Sequence, residues 1–424
     1  MSKIREPNLH TLRLLSLVYQ HSRLSRSDLA QRTGYSNFLV SKLMDRLLAQ
    51  GYVTEVGSGD STGGRRPTLL AISPGLGRVV GLHVGTINAR IVVTDIAGSV
   101  LTFLNSPSRV EEGPKVALPH LIGLVGEALG LARVKRKELL GIGIGISGIL
   151  DRASGTTLMW PKVPQWKDVP IRKILSEHFP VALEVEDTPR TMALAERRLG
   201  QARAADEFIY LMIGAGIGSA LFLRGELYTG RGGFAGEFGH VTVEESGPMC
   251  DCGNRGCLET LVSASALIQR AREAVSQGSN SLLWKLSEGD PRNISVERIV
   301  QAADEGDRFS ARLLNEAGTY LGKATVNLLH LLNPELVVLG GGLMRAAGRL
   351  LLPTIQRVVQ ERALPQAAQS LRLELSQLQE QDWAVGASLL VTERVLRSLF
   401  LSVEEQLPSE SSRRQRKATH LPVV

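Results

Sequence analysis

The sequence predicts an α/β protein in which an N-terminal winged helix-turn-helix precedes a larger, two-lobed α/β body. Three patterns support this prediction. Apolar residues recur with helical spacing through residues 8–50, and two strand-like runs between residues 52 and 72 enclose a glycine-rich tip. After residue 77, strand-like runs are followed by alternating strands and helices, and the arrangement returns about 130 residues later. We therefore expect a duplicated lobe within the 424 residues, a length that accommodates two or three domains.

The N-terminal segment predicts three short helices and a hairpin. The helices are expected from Asn8, as N-cap, to His21, from Ser25 to the break at Gly34, and from Ser36 to about Gln50. Ser25 and Asp28 have the spacing of a capping box. In the third helix Leu39, Leu43 and Leu47 repeat at i, i+4 and i+8, which directs them inward. The runs at 52–56 and 68–72 would form the two strands of a wing.

This module predicts a DNA-binding domain over residues 1–76, because the second helix of such a pair reads base edges in the major groove. Residues 1–78 contain eleven Lys and Arg against five Asp and Glu, so they carry +6 of the chain's net +7. The remaining 346 residues (424 − 78) carry only +1, which points to a polyanionic partner for the module alone. A soluble basic surface is the alternative. The predicted DNA-binding residues are Asn37, Ser41, Lys42, Arg46, Arg65 and Arg66. A hairpin that is merely solubilised by Arg65 and Arg66 is the alternative for the wing.

The rest of the chain predicts a globular body over residues 77–401, with lobes at about 77–190 and 191–401. Runs at 79–84, 89–94 and 100–103 read as an antiparallel meander, and 208–213 with 218–223 repeat it. Residues 402–424 are polar and mixed in charge, which predicts a disordered tail. The N-terminus lacks the layout of a signal peptide and no apolar run reaches the length of a membrane span, so we expect a cytoplasmic protein.

All three cysteines of the chain, Cys250, Cys252 and Cys257, lie within eight residues, and His240 precedes the first by ten. Thiolates and imidazole are the ligands of tetrahedral Zn²⁺, and three Cys with one His fill a closed, structural site. Two glycines between the cysteines supply the tight turns that such a site needs. Three reduced, unliganded thiols are the alternative.

Two carboxylates bracket this cluster, Glu237 before His240 and Glu259 after Cys257. A carboxylate accepts strong hydrogen bonds from paired hydroxyl groups, which suits it to holding a polyol. A solvated acidic face is the alternative for both residues.

The pattern E-x-G-H followed by C-x-C-G-x-x-G-C-x-E resembles the signature of the ROK family of sugar kinases and sugar-responsive repressors. The resemblance implies that His240 and the three cysteines bind structural zinc and that Glu237, His240 and Glu259 contact a sugar. It also implies a two-lobed, actin-like ATPase fold with the ligand cleft between the lobes. The N-terminal module, with its G-G-R-R-P wing, resembles that of ROK repressors, and kinases of the family generally lack it.

The phosphate-binding motifs of the family are altered in this chain. The first, D-x-G-G-T, appears as H-V-G-T-I, with His83 in place of the acid and a bulky Ile87 at the last position. The second, G-T-G-x-G, appears as G-A-G-I-G and lacks the hydroxyl at Ala215. The adenosine-side glycines at 340–342 are unchanged.

The catalytic base is altered as well. The E-N-D-A-N motif corresponds to E-D-T-P-R, which places the base on Thr188 and the last Asn on Arg190. Asp187 would restore a base in a shifted register, but we expect Asp187 and Arg190 to contact the ligand instead. The sugar motif N-L-P-G-W is changed to begin with Lys162, so with Arg190 an acidic ligand is also compatible.

The resemblance and these changes predict a sugar-responsive transcriptional regulator, a repressor that binds operator DNA as a homodimer or tetramer and neither needs ATP nor acts as an enzyme. An ATP-dependent sugar kinase with a DNA-binding appendage is the alternative. A scaffold that responds to a partner protein is a third hypothesis. The identity of the sugar, the operator and the sign of regulation stay open.

Overall fold

The computed structural model describes residues 9–21, 23–59, 66–161 and 163–405, and the predictions for Asn8, Arg65, Lys162 and the segment 406–424 lie outside these ranges. Within these ranges the N-terminal module contains three helices and a three-stranded sheet in the order β1-β3-β2. Its elements are α1 (Leu9–His21), β1 (Leu24–Ser25), α2 (Arg26–Thr33), α3 (Asn37–Ala49), β2 (Val53–Ser58) and β3 (Thr68–Ile72). This is the predicted winged helix-turn-helix, with one short strand, β1, that the sequence analysis missed because two residues carry no periodicity.

The helix boundaries in this module follow from local chemistry. Ser25 caps α2 by accepting a hydrogen bond from the Asp28 amide, and the Asp28 carboxylate accepts one from the Ser25 amide, so the predicted capping box is present. Gly34 ends α2 in the left-handed conformation, with φ of 73°. In α3 the buried stripe is Val40, Leu43, Met44 and Leu47. Leu39, which we expected to face inward, is only partly buried.

The next segment forms the first lobe, around a five-stranded sheet in the order β10-β7-β4-β5-β6. The meander β4 to β6 is antiparallel as predicted, and β7 and β10 extend it in parallel with β4. The elements are β4 (Arg78–Val84), β5 (Asn88–Asp95), β6 (Val100–Pro107), α4 (Pro114–Leu131), β7 (Leu139–Ile146), β8 (Ile149–Asp151), β9 (Thr156–Met159), α5 (Ile171–His178) and β10 (Ala182–Asp187).

The second lobe repeats this topology with a sheet in the order β13-β12-β11-β14-β15, again a meander extended by two parallel strands. The predicted duplication is therefore present. The elements are α6 (Thr188–Leu199), β11 (Phe208–Ile213), β12 (Ile217–Leu223), β13 (Glu226–Tyr228), α7 (Leu258–Val262), α8 (Ala264–Ser276), α9 (Leu283–Leu286), α10 (Val296–Asp304), α11 (Arg308–Leu332), β14 (Leu336–Gly340), α12 (Gly342–Arg362), α13 (Pro365–Ser370), β15 (Arg372–Leu375) and α14 (Glu380–Glu405).

The last helix, α14, packs against the sheet of the first lobe, and the alternating glycines of β7 allow its backbone to approach the strand closely. A side chain at Gly143 would place its Cβ 1.8 Å from the carbonyl oxygen of Ala387 in α14, and one at Gly145 would meet Thr191 of α6 at 2.7 Å. The residues between the glycines point to the other face of the sheet and join its core: Ile142, Ile144 and Ile146. The G-I-G-I-G-I run is thus a strand with helices pressed on one face. The lobe limits at 190 and 191, which would assign α14 to the second lobe, stay a prediction from sequence.

α14 also joins the DNA module to the body. Its apolar residues form one cluster with those of α1 and with β4 and β5, which includes Leu14, Val18, Val79, Val92, Leu389 and Val395. α14 continues to Glu405, past the predicted start of the tail at residue 402. Among the described residues, no helix is both long and apolar enough to cross a membrane.

Candidate metal centre and ligand pocket

The predicted metal ligands come together in the structure. The imidazole of His240 and the sulfur atoms of Cys250, Cys252 and Cys257 all lie within 4.8 Å of one another. His240 Nδ1 lies 3.6 Å from Cys250 Sγ, and Cys252 Sγ lies 3.7 Å from Cys257 Sγ. Four such donors around one point could hold a metal ion.

The chain reaches this arrangement through a tight loop. Both glycines that the sequence analysis singled out have positive φ, 91° at Gly253 and 63° at Gly256. A side chain at Gly256 would place its Cβ 1.5 Å from the carbonyl oxygen of Glu244, so only glycine fits there. Cys257 is fully buried and is the N-cap residue of α7, so the cluster is anchored to a regular element.

The two carboxylates lie on segments that meet at the start of β12. Glu259, in the first turn of α7, accepts a 2.7 Å hydrogen bond from the amide of Ile217. Glu237 immediately precedes a single helical turn, Phe238–His240, and is exposed. Its loop is fixed to β12 because Ser219 donates through both its amide and its hydroxyl to the carbonyl oxygen of Gly236. The carboxylate of Glu259 and the backbone just before Glu237 are thus fixed near the metal ligands.

Arg190 is placed differently from what the sequence analysis expected. Its guanidinium is only 2% exposed, bonds to Glu186 at 3.0 Å, and donates to the carbonyl oxygens of Gly233 and Ala235. Because these donors are already engaged within the protein, Arg190 does not offer a free cation to an acidic ligand. It ties the start of α6 to the loop that carries Glu237.

Asp187 lies at the end of β10 and caps α6, where it accepts a 2.9 Å hydrogen bond from the Arg190 amide. Its side chain keeps 17% of its surface exposed. Burial, and next the neighbouring Glu186 carboxylate, raise the pKa of Asp187 to about 7, while Arg190 opposes the rise. Glu237 also contributes to this rise, which places it in the electrostatic range of Asp187.

A cavity of about 510 Å³ opens beside these groups, between the β8–β9 hairpin of the first lobe and residues 229–234 of the second. Arg152 lines this cavity and pairs with the buried carboxylate of Glu186. The charged residues that line the cavity are Asp151, Arg152 and Arg231. The predicted ligand residues are not among its lining residues: Asp187, Arg190, Glu237, His240 and Glu259.

The predicted DNA-reading residues lie along α3 and the wing. Asn37, Lys42 and Arg66 are exposed, and Ser41 and Arg46 are half-buried. Phe38, in the first turn of α3, is 79% exposed and was not among the predicted residues. A signal was available, since Phe38 is a large apolar residue that stands outside the inward-facing stripe of its helix.

Comparisons with known proteins agree with this architecture. The family model described as "ROK family" matches residues 79–394. The chain belongs to the ROK family. A model described as "Winged helix-turn-helix DNA-binding" matches residues 8–54.

Three relatives of this ROK protein bear on function. The xylose repressor of Caldicellulosiruptor bescii is 31% identical over 390 residues, which cover 92% of this chain and 96% of the repressor. The glucokinase of Thermotoga maritima is 30% identical over 318 residues, 75% of this chain and 98% of the enzyme. A crystal structure of a ROK family transcriptional regulator, described as a homolog of the E. coli MLC protein, superposes with a TM-score of 0.76 at 26% identity and covers 92% of this chain and 97% of its own. The ROK relatives thus include both repressors and kinases.

A cluster of side chains in this ROK protein joins β4 of the first lobe to α12 of the second. His83 of β4 is buried and its ring lies 5.3 Å from that of Trp383. The guanidinium groups of Arg90, from β5, and Arg345, from α12, lie 4.5 and 4.7 Å from the centre of the Trp383 ring, and both bond to Glu380. The cluster thus connects the strand that contains His83 to the helix that begins at Gly342.

Burial of His83 predicts a pH effect on stability. Burial, and next the charge of Arg90, lower the pKa of His83 from 6.5 to about 3. Between these two values the unfolded chain binds a proton that the folded chain does not, so the free energy of unfolding falls as the pH decreases from 6.5 towards 3. This group alone contributes a slope of up to about 1.4 kcal/mol per pH unit. Urea unfolding of the wild type and of His83→Leu at pH 7 and 5 measures this pH dependence of stability. An equal pH dependence in both proteins would contradict the lowered pKa of His83.

Proposed function

We propose that the protein is a sugar-responsive transcriptional repressor that binds operator DNA through its winged module, as a cytoplasmic homodimer or tetramer, and lacks kinase activity. The observation that carries the proposal is the combination, in one chain, of the DNA-binding module with a ROK body that keeps the residues of the sugar and metal site. The Caldicellulosiruptor relative, whose match covers 92% of this chain, is named a xylose repressor, which supports the proposal. We take residues 1–76 as the DNA-binding domain and residues 77–401 as the sugar-binding domain.

We assign Zn²⁺ to His240 and the three cysteines, in a structural role. Zinc–sulfur bonds of about 2.3 Å and zinc–nitrogen bonds of about 2.0–2.1 Å imply tetrahedral edges of about 3.8 Å between sulfurs and about 3.6 Å between sulfur and nitrogen. The observed separations of 3.7 and 3.6 Å support that fit. The ion would crosslink the loop that holds Glu237 to the helix that holds Glu259. Because Nδ1 is the nitrogen nearest Cys250, the other ring nitrogen of His240 is left for the sugar.

The sugar is proposed to be held by Glu237, His240 and Glu259, with Asp187 beside them and Arg190 as the residue that holds their segments in place. Three carboxylates that accept hydrogen bonds, beside the N–H that zinc-bound His240 would donate, suit a ligand with several hydroxyl groups. A neutral sugar is therefore favoured over the acidic ligand that Lys162 and Arg190 had suggested. Binding would release the operator only if the sugar prefers one arrangement of the protein over the other.

The absence of kinase activity is proposed from the base position. Thr188 occupies this position and is buried, with its hydroxyl oxygen 3.5 Å from that of Ser147. A hydroxyl group has no useful basicity near neutral pH. Loss of a positioned base costs about 10² to 10⁴ in rate. An ATP-dependent sugar kinase is the second candidate, and the raised pKa of Asp187 is the observation in its favour. ADP release above background with D-glucose or D-xylose, lost in Asp187→Ala, would establish it.

Mobility shift of the protein's own promoter region, with and without D-xylose, D-glucose and N-acetyl-D-glucosamine, tests the main proposal. Binding at low salt that weakens with one of these sugars is expected. Failure to retain any promoter fragment at low salt would contradict it.

Phe38 is expected to add an apolar contact with a thymine methyl group in the operator, because residues at the N-terminal end of a reading helix contact base edges and Phe makes such contacts with that methyl. Phe38→Ala should weaken operator binding about tenfold, equivalent to about 1.4 kcal/mol. Replacing operator thymines one at a time by deoxyuridine should reproduce this loss in the wild type and have no effect in the variant. The control is Leu331→Ala, which removes an equally exposed residue, 80% accessible, from the body. Equal effects of deoxyuridine on both chains would contradict the contact.

A further inference from the structure

Helix α6 extends from the ligand pocket to the DNA-binding module. It comprises 12 residues and is therefore about 18 Å long. At its N-terminal end Asp187 is the cap and Arg190 holds the carbonyl oxygens of Gly233 and Ala235, in the loop that leads to Glu237. Two short hydrogen bonds, of 2.6 and 2.8 Å, thus join that loop to the helix.

The opposite end of α6 contacts α1. Arg198 donates a 2.6 Å hydrogen bond from Nη1 to the carbonyl oxygen of Tyr19, in the last turns of α1. Its Nη2 donates to the carbonyl oxygen of Ala97, in the turn between β5 and β6, at 3.2 Å. The guanidinium carbon also lies 5.0 Å from the centre of the Tyr19 ring. One side chain therefore joins α6, the first lobe and the DNA module.

Packing along the helix favours movement as a unit. A Cβ at Gly386 of α14 would lie 2.0 Å from the carbonyl oxygen of Thr191, so the two helices touch at their backbones. The residues of α14 beyond this contact share a core with Leu14, Leu15 and Val18 of α1. A closely packed pair of helices shifts between discrete arrangements and does not deform gradually.

We propose that α6 couples the sugar pocket to the DNA module and that Arg198 is the positioning residue at the joint. The inference rests on the proposed function and adds the route of its regulation. A sugar held by Glu237 and His240 fixes the loop at 233–240, Arg190 transmits that position to α6, and Arg198 sets the position of α1. The orientation of α3 relative to its operator half-site then depends on whether the pocket is filled.

The test compares Arg198→Ala with a control at the adjacent position. Arg197 is also at the end of α6, but it faces the second lobe, where it donates to the carbonyl oxygen of Ala205 and lies 5.6 Å from the ring of Phe222. Operator affinity of each full-length protein is measured by fluorescence anisotropy with and without the sugar that acts on the wild type, drawn from D-xylose, D-glucose and N-acetyl-D-glucosamine. Sugar affinity is measured by calorimetry.

For each protein, the operator affinity without sugar is divided by the operator affinity with sugar. Arg197→Ala is expected to keep the wild-type value of this ratio. In Arg198→Ala this ratio is expected to fall at least about fivefold, towards one, while sugar affinity changes less than about twofold. A residue that only stabilised the fold would lower the unfolding midpoint and leave this ratio in place. A wild-type ratio in Arg198→Ala overturns the inference, whereas failure of the wild type to bind operator overturns the proposed function itself.

A second experiment needs no sugar. Asp187→Asn alters the charge at the pocket end of α6 and keeps a side chain able to cap it. The substitution is expected to change operator affinity in a chain that has Arg198 and to have no effect in Arg198→Ala. Equal effects of Asp187→Asn in the two backgrounds would overturn the coupling route.

Discussion

Replacement of Cys257 by serine is expected to release the metal, lower the free energy of unfolding by roughly 3 kcal/mol or more, and abolish sugar binding. Cys257 is fully buried, is one of the four clustered donors, and is the N-cap residue of the helix in which Glu259 follows two residues later. Loss of the ion would uncouple that helix from the loop that carries Glu237. Metal content by mass spectrometry, thermal unfolding and calorimetric titration with sugar measure the three effects.

The matched control for this variant is Asp251→Asn. Asp251 lies between two of the proposed ligands, is exposed, and is not part of the donor cluster. The Asp251→Asn protein should retain one zinc ion per chain and the wild-type free energy of unfolding. A Cys257→Ser protein that keeps its zinc and its unfolding midpoint would contradict the metal assignment.

Replacement of Glu237 by glutamine is expected to leave operator binding intact and remove its response to sugar. The substitution changes the charge of an exposed side chain, so the fold should be unaffected. A hydrogen bond to a charged acceptor contributes about 2 kcal/mol, so sugar affinity should fall roughly 30-fold. In cells, such a protein would repress its target whether or not the sugar is present.

Glu245→Gln is the control, because Glu245 is an exposed carboxylate on the same segment and is not assigned to the pocket. It should respond to sugar as the wild type does. A Glu237→Gln protein with wild-type sugar affinity would exclude the residue from the ligand site.

Features that depend on neighbours in the chain were predictable from the sequence. The Ser25–Asp28 capping box, the left-handed Gly34 and the gathering of the cysteines around turns at Gly253 and Gly256 all follow from local chemistry. The duplicated meander was predictable for the same reason, since each strand and turn has its own local pattern.

Features that depend on packing between distant segments were not predictable. The sequence identified Arg190 as a candidate ligand contact, but not that its guanidinium would donate to Gly233 and Ala235, more than forty residues away. The contact of Arg198 with Tyr19 joins residues separated by 179 positions. The glycines of β7 predicted a buried strand, and only the structure assigns them to contact with α14 and α6. Such pairings are set by the topology of the whole chain and leave no local periodicity.

Sugar and operator are proposed to bind preferentially to different conformations of the protein, and thermodynamic linkage tests this directly. The measurement is the calorimetric affinity for the active sugar in the absence and in the presence of a saturating operator fragment. Because coupling between two binding sites is reciprocal, the operator should weaken sugar binding by the same factor by which the sugar weakens operator binding. An identical sugar affinity with and without operator would contradict the claim.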